Sequence, residues 1–86
     1  MLEHVSLVRR VEPVYPLLAK QARIEGTVQF AAVISPNGRV EKLDLISGHP
    51  LLIPAAKDAI FQWQYSQLPF NVRTVIQVNF VLKPAQ

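Results

Sequence analysis

From Thr27 to Ser35 the chain alternates, with Val28, Phe30, Ala32 and Ile34 on one face and Thr27, Gln29, Ala31, Val33 and Ser35 on the other. A period of two marks a strand, because successive side chains leave a pleated backbone on opposite sides. Ser35-Pro36-Asn37-Gly38 comes next. Pro at the second position and Gly at the fourth suit a type I turn, which closes a hairpin with a bulge. The returning strand is Arg39 to Ile46, with Leu43 and Leu45 on one face and Lys42 and Asp44 on the other. The longest alternation sets Val72, Thr74, Ile76, Val78, Phe80 and Leu82 against Arg73, Val75, Gln77, Asn79 and Val81, and predicts a third strand ended by Pro84.

Elsewhere the period lengthens. Leu52, Ala56, Ala59, Ile60 and Trp63 fall on one helical stripe, predicting a helix from about Leu51 to Trp63. Pro54 is compatible only with its first turn, which moves the start towards Ile53. Upstream, Pro13 and Pro16 bracket Val14-Tyr15 and hold the residues before them extended. Pro16 suits the first helical position, Leu18, Ala19 and Ala22 recur at helical spacing with Tyr15, and Gly26 stands where a left-handed cap belongs. A short helix of about two turns is expected, from Pro16 to Glu25. Residues 1–12 show no sustained period and read as an extended arm, the end of a linker, leaving 13–86 as the domain.

The element order is α-β-β-α-β. An antiparallel sheet with two helices packed on one face is the economical way to bury these apolar faces, so the fold class is α+β. A right-handed crossover through the second helix leaves room for the first strand between the other two, giving the sheet order 2-1-3. The third strand is then an open edge.

Composition narrows the function. Eighty-six residues support one hydrophobic core, and a chain that is half apolar and 17% charged folds. A domain this small is marginal enough for element exchange with a second copy, so a homodimer stays an open alternative. The net charge of +3 and pI of 9.7 are mildly basic, but Lys and Arg are scattered, with one adjacent pair, Arg9-Arg10. Nucleic-acid binders concentrate such charge and interleave aromatics, so no nucleic-acid partner is expected. A weak positive field equally suits an anionic membrane surface or an acidic peptide.

Catalytic, metal and cofactor sites are not indicated. There is no cysteine, and His4 and His49 lack a second ligand at metal spacing. Asp44 and Asp58 fall on solvated faces, no serine sits in a nucleophile elbow, and Gly26, Gly38 and Gly48 serve caps and turns rather than a phosphate cradle. Tyr15, Trp63 and Tyr65 end amphipathic segments and read as core. Phe61 lies outside the helical stripe near Lys57, as an ordinary exposed aromatic or a contact with a second copy or another protein. No apolar run approaches the roughly 20 residues that span a bilayer. Glu3 and His4 interrupt any signal peptide, so an exported domain would take its signal from a longer parent chain.

One ordered set of short motifs remains. Tyr15-Pro16, Ala19 and Ala22, Arg23-Ile24-Glu25-Gly26, Pro36-Asn37-Gly38-Arg39-Val40, Ser47-Gly48-His49-Pro50, and Ala56, Ala59, Trp63 and Tyr65 together resemble TonB C-terminal domains over about 70 residues. The sequence departs from the family pattern at Phe61, Gln64, Ser66 and Gln67 and in its short connector before the last strand. The resemblance implies a non-catalytic periplasmic domain, with no cofactor, whose parent chain is anchored in the inner membrane of a Gram-negative bacterium and carries a proline-rich stalk. It implies two partners: the N-terminal peptide of an outer-membrane TonB-dependent transporter, bound by β-strand addition in nutrient or siderophore uptake, and an inner-membrane, proton-driven motor complex reached through the parent chain. On this resemblance the peptide-binding edge is Arg73, Val75, Ile76, Gln77, Val78, Asn79 and Phe80. Val11, Glu12, Pro13 and Val14 form an upstream peptide contact, and Tyr15, Pro16, Gly26, Gly38, Gly48, Trp63 and Tyr65 are structural motif residues. The alternative implied function is a TonB-like scaffolding or self-association module fused to a protein of other function.

Overall fold

Val28, Phe30, Ala32 and Ile34, the four alternating apolar residues of the first expected strand, are all buried in the computed structural model, which describes residues 6–82. The elements are β1 (Leu7–Arg9), α1 (Leu17–Gln21), β2 (Gly26–Ile34), β3 (Val40–Ser47), α2 (Ile53–Phe61), β4 (Gln64–Tyr65) and β5 (Val72–Phe80). One antiparallel sheet has the order β3-β2-β5, and β1 and β4 form a second, two-stranded sheet. The α+β class and the 2-1-3 order of the three principal strands are as the periodicity predicts.

The core lies between the buried face of the larger sheet and the helices. Val28, Phe30, Ile34, Leu43, Val72, Ile76, Val78 and Phe80 from the strands pack with Ala19 of α1 and Leu52, Ala56, Ile60 and Trp63 from the α2 region. Leu45, expected inside with Leu43, is half exposed. The register of β2 with β3 shifts between Gln29 and Phe30, so Gln29 meets Ser47 while Phe30 meets Leu45. The extra residue bends β3 there.

Element ends differ from the periodicity for local reasons. α1 is a single turn and a half, because Arg23 adopts φ 55. Ile24 N–H donates to Ala19 O at 2.8 Å and Arg23 N–H to Lys20 O at 3.1 Å, which is a Schellman closure with arginine in the left-handed position. Gly26, expected there, instead opens β2, and Pro16 is the N-cap rather than the first helical residue. α2 begins at Ile53 with Pro54 in its first turn, as the proline requires. β5 stops at Phe80 because its partner β2 begins at Gly26, opposite Phe80, and offers no bonds to Val81 and Leu82.

The extended arm is paired. Leu7 sits opposite Tyr65 and Arg9 opposite Gln64, and Ser66 N–H donates to Ser6 O at 2.9 Å. The hairpin turn joins the same corner: Tyr65 N–H donates to Gly38 O and Leu68 N–H to Pro36 O, both at 2.8 Å. Gly38 N–H closes the turn on Ser35 O at 2.9 Å, with Gly38 at φ 83. A Cβ on Gly38 would stand 2.0 Å from Tyr65 O, so only glycine fits. No helix among the described residues is long and apolar enough to cross a membrane.

Candidate peptide-docking edge

A three-stranded open sheet has two border strands, here β3 and β5, and each presents unpaired backbone groups on its outer side. The two are built differently. β3 is irregular at two points, between Gln29 and Phe30 and between Val33 and Ile34 of its partner, and carries Glu41, Lys42 and Asp44, with Lys42 and Asp44 ion-paired at 3.7 Å. Bulges and charges are the devices that blunt an edge against a visiting strand. β5 runs in unbroken register with β2 from Val72 opposite Ile34 to Phe80 opposite Gly26. It contains neither Gly nor Pro, and Arg73 is its one charged residue.

Among the described residues β5 pairs with β2 alone. Backbone N–H and C=O groups alternate in direction along a strand, so four or five of the nine residues of β5 aim both groups away from β2. The side chains expected at this edge separate by face. Ile76, Val78 and Phe80 are buried and offer a visitor only backbone, whereas Arg73, Val75, Gln77 and Asn79 are exposed. The Thr27 hydroxyl donates to Asn79 Oδ1 at 2.7 Å and fixes that amide.

The upstream stretch Val11, Glu12, Pro13 and Val14 runs between two anchors. At one end Val11 O accepts the Trp63 indole N–H at 2.9 Å, with the Arg10 guanidinium 5.4 Å above the same ring. At the other end Tyr15 packs edge-on against Phe80 at 5.4 Å, and its hydroxyl donates to Ile24 O. The stretch lines a groove of about 650 Å³ against α2 residues Pro54, Ala55, Asp58 and Ala59. It therefore reaches the end of β5 through Tyr15 rather than lying along the strand. Trp63 and Tyr65 are buried, and burial pushes the Tyr65 phenol above its usual value. Burial and then the Glu25 carboxylate do the same to Tyr15.

The remaining polar candidates are accounted for locally. His49 Nδ1 accepts the Leu51 N–H at 3.1 Å and shapes the turn into α2, while Asp58 is exposed. No group of three or more potential metal ligands occurs among the described residues.

The family model described as Gram-negative bacterial TonB protein C-terminal matches residues 11–82. This chain belongs to that family. Protein TonB of Klebsiella pneumoniae is 39% identical over 62 residues, covering 70% of this chain and 26% of that protein. Protein TonB of Escherichia coli strain K12 is 33% identical over 76 residues, covering 86% of this chain and 31% of that protein. The solution NMR structure of the Pseudomonas aeruginosa TonB CTD superposes with a TM-score of 0.77 at 22% identity, covering 98% of this chain and 92% of that one, and so shares the fold. The chain spans about a quarter to a third of the length of these curated relatives. It is a TonB-type C-terminal domain.

The signals that sequence reading missed are pairings between distant segments: Trp63 with Val11, Arg10 with Trp63, and Gly38 with Tyr65. The family match begins at residue 11, two residues upstream of the boundary expected at residue 13.

Proposed function

We propose that this domain works in the periplasm as the terminal part of a longer inner-membrane-anchored chain. It takes the N-terminal peptide of an outer-membrane TonB-dependent transporter as an added strand on β5, and transmits to it the pull of a proton-driven motor complex. The observation that carries the reading is the contrast between the two borders of the sheet: β3 is bulged and charged, β5 is regular and nearly uncharged. Main-chain bonds supply the affinity in strand addition, and exposed Arg73, Val75, Gln77 and Asn79 supply modest selectivity. A strand laid along β5 over about 30 Å is loaded in shear when pulled lengthwise, so its bonds resist together.

Titrating the isotope-labelled domain with a transporter's N-terminal peptide tests this. Amide shifts gathered in residues 72–80 are expected; shifts confined to β3 or to the helices overturn it. The same unblunted edge is open to a second copy, which keeps self-association as the competing reading. A dimer in sedimentation that the peptide does not dissociate favours that reading over transport.

A further inference from the structure

α1 buries one residue of five. Ala19 is fully covered, while Leu17 and Leu18 are 67% and 63% exposed and Val14, just before the helix, is 82% exposed. At 100° per residue, Leu17 and Gln21 both stand within about 20° of the point opposite Ala19, with Lys20 on one side and Leu18 on the other. Lys20, Gln21 and Arg23 line a groove with Tyr15, Val81 and Leu82, and Val81 is 68% exposed. Two exposed leucines on a short helix, with Lys20 beside Leu17 and Arg23 just past the helix end, are not explained by the core or by the β5 edge.

We propose that this face of α1 is a docking surface for an anionic phospholipid bilayer, with Leu17 and Leu18 entering the headgroup boundary and Lys20 and Arg23 meeting the lipid phosphates. Charge complementarity selects this occupant. A symmetric contact between two copies would bring Lys20 and Arg23 of each towards those of the other, and Glu25, whose carboxylate acts on the groove residue Tyr15, offsets only part of that charge. The crest is convex, which suits a deformable planar surface better than an extended peptide, whose backbone would find no unpaired edge there. Long basic side chains reach headgroups while their stems lie on apolar surface, as in other interfacial segments. The mildly basic balance of the whole chain works in the same direction.

Co-sedimentation with vesicles of phosphatidylglycerol and phosphatidylethanolamine, against phosphatidylcholine alone, tests this without any transporter peptide. Binding to the anionic vesicles that weakens with salt is expected. Leu17→Ser with Leu18→Ser, and separately Lys20→Glu with Arg23→Glu, should each lower partitioning about tenfold. All four residues are exposed, and thermal unfolding verifies that the variants fold. Absence of binding to anionic vesicles overturns the proposal, as does binding that the leucine variant leaves unchanged. A concentration-dependent dimer abolished by Leu17→Ser and Leu18→Ser would assign the face to a second copy instead.

Discussion

The Trp63 indole N–H donates to the Val11 carbonyl at 2.9 Å across 52 positions of sequence, tying the entering arm to the end of α2. Replacing Trp63 by Phe removes the donor, leaves a half-buried carbonyl short of a partner and opens space at the corner. We expect a loss of about 2 kcal/mol in urea unfolding. Faster hydrogen exchange of the Ser66 amide, which bonds Ser6 O, should accompany it. Unchanged Ser66 protection would mean that the β1–β4 pairing holds the arm without the indole.

Proline scanning of β5 reads the direction of its backbone groups. Along Val75, Ile76, Gln77 and Val78, alternate residues direct their N–H at β2 and at the open side. Proline should unfold the domain at one parity and at the other leave it folded while abolishing peptide-induced amide shifts. Equal effects at both parities would contradict an open, ladder-ready border.

Positive backbone angles make opposite demands at Gly38 and Arg23. Gly38→Ala drives a Cβ into Tyr65 O and should cost about 3 kcal/mol or more, enough to lower the melting temperature sharply. Arg23→Gly relieves a left-handed arginine and should raise stability by about 1 kcal/mol in the same assay.

Phe30 and Leu45 are cross-strand partners on the same sheet face with different surroundings. Phe30→Ala empties a fully enclosed site and should cost about 3–5 kcal/mol, most of the stability of so small a domain. Leu45→Ala should change the unfolding midpoint little, by about 0.5 kcal/mol or less.

Tyr65 titrates above its usual value of 10.0 because burial disfavours the phenolate. The folded state therefore holds the proton after the unfolded chain has lost it. The associated stability is complete below pH 10 and declines as pH rises through the folded value. Tyr65→Phe should flatten the alkaline limb of a stability-against-pH curve relative to the unaltered domain; identical limbs would show that other groups govern it.

The three principal strands, α2 and the 2-1-3 order were legible in the sequence because each rests on a period repeated over several residues and on short-range turn chemistry. The start of α2 at Ile53, with Pro54 in its first turn, and the hairpin at Ser35-Pro36-Asn37-Gly38 belong to the same local class. The motif order from Tyr15 to Tyr65 also carried the family. The two-residue β4, the pairing of Leu7–Arg9, the left-handed Arg23 and the exposure of Leu45 could not be read there. A two-residue strand has no period, and each of these depends on which distant backbone comes within bonding distance. The choice between the borders was likewise half legible: absence of Gly and Pro in β5 is a property of sequence, but the bulges that blunt β3 exist only once β2 and β3 are in register. Local periodicity set what each segment becomes, and long-range contact decided which surfaces remain open.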